Sequence, residues 1–544
     1  MDFQHLNRRD FLRLSGLSAA GVLAASCGTP PAPGSEAAPA AEAGGAAAAG
    51  GEAAAAPAAG LRQVPRERTL ILMFGGDGTQ FTDTGLGNPY AAGATHQIGS
   101  AALWEPLYYY SAFADEHIPW LAESYEYNDD FTELTVRIRS GVEWSDGVPF
   151  TAGDIAFTLN MLKENAPSLR LSTEVNSWVA EATAVDDSTV RIVFNDPRPR
   201  FMLEYLSFKF DTGIYIVPEH VFGELATTED IQGFTYYDPE QGWPLATGPY
   251  KIVEWNNTQK FMDLREDWWG AKTGFAELPT VERILMLPRA DDTRMVQLIV
   301  NDEVDSVLDL RASTIPEAVN QNPNIITHTG RELPFGYIDW WPTSMWFNCD
   351  DGPYATKEMR WAVSYTIDRQ QMLDVALGGS GMLTELPFPR YPALEPYFEA
   401  AAPLLEQYPT NEFNLDKAAA LLEGQGYTKD SEGFWAMNGQ RLQAIVGGWQ
   451  VFTDIGPVIA EQLRRGGFEA DFITPTDLGT RIADGTQKIW LNGHGGSFAD
   501  PFTTMDFFTS KHYRPQGEPA AYASRFRNEE YDAVMEEMAN VAPD

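Results

Sequence analysis

Gly495-Gly496-Ser497-Phe498-Ala499 is the nearest thing in this chain to a catalytic turn. In the G-x-S-x-G pattern a serine is exposed on a sharp strand-to-helix turn with a base in reach. Here alanine replaces the last glycine, and His494 lies too close in sequence to be an obvious base, so hydrolysis is a remote reading. The seven histidines show no H-E-x-x-H or other metal spacing. Gly75-Gly76-Asp77-Gly78 is not followed by a G-x-G-x-x-G pattern, and no Walker A loop is present, so any ATP hydrolysis falls to another subunit. The acid pairs Asp129-Asp130, Asp186-Asp187 and Asp350-Asp351 read as solvated turns. No catalytic group, metal or cofactor follows from these residues. What remains is recognition. Trp449 and Trp490 each adjoin a strand-like run and have glycines nearby that permit close approach of a flat solute. Asn492, His494 and Asp500 add an amide, an imidazole and a carboxylate.

Such groups need a scaffold, and its clearest local signature lies between residues 121 and 160. Leu134, Val136 and Ile138 alternate with Thr135, Arg137 and Arg139, the period of a half-buried strand. Ser140-Gly141 and Ser145-Asp146-Gly147 are turn chemistry. Thr151 and Asp154 then have capping-box spacing, with Ile155, Leu159 and Leu162 on one helical face behind them. The literal residues of this segment closely resemble the signature region of the family 5 extracellular solute-binding proteins, the oligopeptide/dipeptide-type receptors of ABC importers.

The resemblance recurs in order. Thr247-Gly248-Pro249-Tyr250 followed by Asp267-Trp268-Trp269-Gly270 is similar to the family's TGPY and YWG blocks. Phe347-Asn348 followed by Arg360-Trp361-Ala362-Val363-Ser364-Tyr365-Thr366-Ile367-Asp368-Arg369 resembles its FN and VRQALSYAIDR blocks. Asp416-Lys417-Ala418 to Gly426-Tyr427, and Trp490 to Asp500-Pro501, match two later ones.

The N-terminus speaks to compartment. Asn7-Arg8-Arg9-Asp10-Phe11-Leu12 is a twin-arginine export pattern built on Arg8 and Arg9. The apolar run after it is too short for a membrane span and ends at Ala24-Ala25-Ser26-Cys27, a lipobox-like site. Either Cys27 is lipidated after cleavage, or the chain is cut near Ala25 with Cys27 unmodified. Residues 28–65 are dominated by Ala, Gly, Pro and Glu, a tether that cannot bury a core. The whole chain carries 38 basic and 77 acidic side chains, a net charge of −39. Nucleic acid and anionic lipid surfaces repel such a protein. With Cys27 lipidated, Cys349 stands alone and no internal disulfide can form. Roughly 480 residues beyond the tether exceed one core's capacity.

The resemblance implies a mixed α/β, two-lobe periplasmic-binding-protein fold (type II, oligopeptide-receptor-like) with an extra subdomain in the first lobe. Mapped through the motifs, 1–27 is the export signal, 66–103 and 243–333 form the first lobe's core, and 104–242 its extra subdomain. Residues 334–510 form the second lobe, and 511–544 return to the first lobe, apparently truncated relative to relatives that continue further. It further implies a monomeric, membrane-tethered receptor that captures a small oligomeric solute by lobe closure and delivers it to ABC permease subunits.

Peptide receptors of the family hold the peptide's α-amino group with an aspartate three residues before an Asp-Pro or Glu-Pro pair. Ser497 stands at that place here. The alternative solute is a β-linked gluco- or manno-oligosaccharide, which needs aromatic platforms and polar partners. The expected contact set is Trp104, Tyr108, Trp346, Trp449, Trp490, Asn492, His494, Ser497 and Asp500, with Trp340 and Trp341 in the same cleft-lining segments. A sensory receptor is a third reading.

Overall fold

A computed structural model describes residues 61–542, apart from 76–78, 83, 85, 93, 95–101, 211, 309 and 519–523. Arg8, Arg9, Cys27 and most of the tether lie outside the described residues.

Thr69–Met73 is an apolar strand that pairs in parallel with Arg283–Leu287 on one side and with Ser306–Val307 on the other. Lys260–Leu264 and Tyr250–Trp255 extend the sheet antiparallel, completing five strands. The register sets Asp263 opposite Arg283, and their buried side chains form a two-point ion pair at 2.6 and 2.8 Å. Such a pair satisfies charges that burial would otherwise penalise.

Between Met73 and Tyr250 the chain builds a separate layer. Ala122–Tyr127, Glu133–Ile138, Thr189–Phe194 and Val179–Asp186 make a four-stranded antiparallel sheet. Leu134, Val136 and Ile138 point into the core as their alternation predicts. The helix Ala152–Glu164 crosses this layer, and its capping box is formed: Gly153 N–H donates to the Thr151 hydroxyl and Thr151 N–H to the Asp154 carboxylate. Asp154 also accepts from Glu219 N–H at 2.9 Å, tying the helix start to the next loop.

Glu105 anchors the join between this layer and the first sheet. Its buried carboxylate accepts from the indole N–H groups of Trp120 (2.9 Å) and Trp269 (2.8 Å). Burial pushes its pKa up to about 7 against those hydrogen bonds. Trp269 of the Trp268-Trp269-Gly270 motif is thus a core hydrogen-bond donor.

The second lobe is built on a four-stranded sheet in the order Thr343–Phe347, Ile489–Gly493, Gln443–Gly447, Glu469–Ile473. The first pair is antiparallel and the others parallel. Helices Lys357–Thr366, Leu415–Gly424 and Gly456–Arg465 bury one of its faces, and Leu478, Ile482 and Phe508 cover part of the other. The last helix, Glu529–Ala539, is N-capped by Asn528 and stays beside this lobe. Tyr531 donates to Met505 O, Arg527 pairs with Asp350, and Arg200 donates to Met538 O at 3.1 Å. Its described contacts therefore run to the second lobe and to Arg200 of the extra layer. Cys349 is half-buried at the end of its strand, and burial raises its thiol pKa.

Candidate solute-binding site

A strand displays alternate side chains on opposite faces, and that rule organises the site. In the Thr343–Phe347 and Ile489–Gly493 pair, Met345 faces Leu491 and Phe347 faces Ile489, whereas Trp346 pairs with Trp490 and Ser344 with Asn492. The Met345 and Leu491 side opens onto a cavity of about 850 Å3. Ile455 and Ile459, at and near the start of the helix Gly456–Arg465, line its floor together with Val363 and Ile367. The loop through Met382, Leu383 and Leu386 makes a wall. At the rim stand Phe113, His328 and Tyr337, with Phe113 and Tyr337 43% and 49% exposed, their rings 5.7 Å apart. Phe113 belongs to the layer inserted between Met73 and Tyr250, so the cavity touches both halves of the molecule.

The expected contact residues fall mostly elsewhere. Trp346 and Trp490 occupy the opposite sheet face, packed with Leu478, Ile482 and Phe508; Trp490 is 1% exposed and part of the core. They face away from the cavity, a consequence of a one-residue difference in facing. Asn492 shares their face and is half-buried.

His494 is buried against the rings of Trp346 and Phe508, with Nε2 2.8 Å from the Ser344 hydroxyl. Burial lowers its pKa to about 4, so it is neutral near pH 7. Its flanking glycines exist for packing. A Cβ on Gly493 would lie 2.0 Å from the Trp341 ring, and one on Gly495 2.5 Å from the Trp340 ring. Ser497 and Thr504 exchange hydrogen bonds, each backbone N–H donating to the other's hydroxyl, in a buried turn. Ser497 is 1% exposed.

Trp104 is buried edge-on to Tyr215, and Tyr108 packs beside His117 with ring centroids 4.5 Å apart. Both belong to the core of the inserted layer. Trp449 alone of the nine presents a broad open surface, 40% exposed, with its ring over Gly479. Trp341 lines the cavity and stacks on Phe452 at 6.1 Å. The cavity residues Met345, Leu491, Ile455 and Ile459 went unmarked in the sequence. Their one signal there was an apolar period indistinguishable from that of core.

Asp500 is a bridge between the halves. Arg200, at the start of the helix Phe201–Tyr205, donates from Nε to its carboxylate at 2.6 Å, with both side chains buried. The other Asp500 oxygen accepts Phe502 N–H at 2.7 Å, and the guanidinium lies over the Phe502 ring. Thr503 donates to Glu204, whose carboxyl is pushed up by burial and then by the nearby Asp500 charge. Lys209 donates to Leu203 O and Glu204 O, and burial lowers its pKa. Phe498 stacks on Tyr391 and packs against Phe210, closing the junction with an aromatic cluster. Each Asp500 oxygen is thus engaged with a protein group.

Residues 116–515 match the model of the bacterial extracellular solute-binding proteins, family 5. The chain belongs to that family. A probable ABC transporter-binding protein from Deinococcus radiodurans is 23% identical over 373 residues, 63% of this chain and 58% of the relative. The match thus spans less than two thirds of that relative's length. A periplasmic oligopeptide-binding protein of an ABC transporter from Thermotoga maritima superposes with a TM-score of 0.75 at 22% identity, covering 88% of this chain and 86% of its own. The mannohexaose-bound structure of an oligopeptide-binding protein from the same organism gives 0.69 at 22% identity over the same shares. These likenesses establish the two-lobe, type II periplasmic-binding-protein fold. Among the described residues no helix is long and apolar enough to cross a membrane.

Proposed function

We propose that this family 5 protein is the extracytoplasmic receptor of an ABC importer and that it captures an oligopeptide by lobe closure. One observation carries the reading: the 850 Å3 cavity takes its floor from the second lobe and part of its rim, Phe113, from the inserted layer. A solute seated there touches both halves, so it binds the closed form better than the open one, which is what drives closure. The receptor then hands the solute to permease subunits, tethered to the membrane through lipid on Cys27 after twin-arginine export, and works as a monomer. The alternative solute is a β-linked oligosaccharide, favoured by the mannohexaose bound to a protein of the same fold.

Isothermal titration calorimetry against pooled di- to pentapeptides and pooled gluco- and manno-oligosaccharides separates the two. Micromolar binding of peptides with no heat from sugars is the expected result, and the reverse overturns the peptide reading. Cys27→Ser is expected to move the protein from the membrane to the soluble fraction. Retention in the membrane fraction would refute the anchor.

A further inference from the structure

Building on the receptor reading, we propose that the cavity is a pocket for a bulky, uncharged apolar side chain, so that the solute is a peptide bearing a leucine- or phenylalanine-like residue. The evidence is how its lining distributes polarity. Aliphatic and thioether side chains, Met345, Met372, Leu383, Ile455, Ile459 and Leu491, make up much of the interior surface, and the Asp339 carboxylate and His328 imidazole also line the cavity. Several polar groups of the wall have their donors turned onto the protein. Thr384 donates to Leu386 O and Phe388 O, Thr410 to Glu385 O, and Asn411 to Thr384 O, which holds the 384–390 loop in shape.

The two guanidinium groups of the lining are likewise engaged. Arg369 donates to Ser364 O, Ile367 O and the Ser364 hydroxyl. Arg390 pairs with Glu395 at 2.7 Å and Glu385 at 3.0 Å. A sugar ring placed here would lose water from its hydroxyls and find these donors already committed, which is costly. An apolar side chain loses nothing comparable and gains by burial. The volume falls within the range of small-ligand pockets. Methionines at 345, 372 and 382 give a wall that adapts to different apolar shapes. The pocket therefore selects for apolar character more than for one residue.

The test uses the full exported chain and the neutral apolar fluorophore N-phenyl-1-naphthylamine, with Ala-Leu-Ala, Ala-Phe-Ala, Ala-Ser-Ala and mannohexaose as competitors. Wild type is expected to bind the fluorophore, and Leu383→Lys or Met372→Asp to weaken it at least tenfold with the thermal midpoint retained. Two positions guard against one variant failing to fold. Leucine and phenylalanine peptides are expected to displace the fluorophore with a Kd roughly 10- to 100-fold below that of the serine peptide, the value of burying one such side chain.

Equal affinity for all three peptides would overturn the pocket assignment and leave the receptor reading intact. Fluorophore binding that both folded variants retain would overturn it too, as would displacement by mannohexaose more tightly than by any peptide. Variant-sensitive fluorophore binding that no peptide displaces would uphold an apolar pocket and overturn the peptide as its occupant.

Discussion

Asp500→Asn isolates what joins the two halves of the molecule. In the folded protein the Arg200 and Asp500 side chains are 6% and 4% exposed, and their 2.6 Å contact links residues 300 positions apart. Asparagine keeps the shape and an acceptor but removes the charge, leaving a buried guanidinium without its counter-ion. Breaking a buried pair in this way costs about 3–5 kcal/mol. Here the lower end applies, because Arg200 retains Met538 O at 3.1 Å and the face of Phe502 at 4.7 Å. The expected loss is therefore about 3 kcal/mol, read from the midpoint of urea unfolding at constant slope and followed by tryptophan fluorescence. Replacing both partners by apolar residues, Arg200→Met with Asp500→Leu, removes the stranded charge and should recover most of that loss. If the single variant loses less than about 1 kcal/mol, the contact is screened as at a surface, and the buried-bridge reasoning fails. If the double variant is worse than either single one, packing rather than charge holds the junction, and the reasoning fails there as well.

Glu105 gives a pH signature. Its folded pKa of about 7 lies above the ordinary value of 4.5, so between those limits the folded state binds a proton that the unfolded state has released. Its contribution to stability therefore falls as pH rises from about 4.5 to 7, and Glu105→Gln should remove that slope from the midpoint-against-pH profile; an unchanged slope would refute it. Trp490→Ala empties a fully buried site and should cost about 3–5 kcal/mol, whereas Trp449→Ala at its exposed position should stay within about 0.5 kcal/mol; urea titrations of both would expose a reversed order. Gly493→Ala drives a methyl into the Trp341 ring and should destabilise by about 1–3 kcal/mol while altering the emission of that cavity-lining indole. A neutral result would mean the ring moves freely.

The parts of this fold that were readable in advance are those whose pattern is local. Leu134, Val136 and Ile138 show a strand by their alternation, and Thr151 with Asp154 shows a helix start by spacing alone, because a capping box closes within four residues. The site was not local in that sense. Trp490 and Leu491 are neighbours in sequence, equally buried and on one strand, yet one packs beside Leu478 on one sheet face and the other packs on the opposite face that borders the cavity. Which face becomes cavity depends on where the helix Gly456–Arg465 and the 384–390 loop pack, and no residue of the strand encodes that. Aromatic size misled for a related reason: a tryptophan is as valuable to a core as to a solute, so its presence does not distinguish them. Gly493 and Gly495 carried real information, close approach, but what approaches is Trp341 and Trp340 of the same chain. Asp500 was read from the sequence as a polar contact for the solute, whereas in the fold its carboxylate pairs with Arg200. Arg200 stands 300 positions earlier in the chain, and only the tertiary fold brings it near. The contacts that matter most to a two-lobe receptor are of this long-range kind, so they emerge only once both lobes are in place.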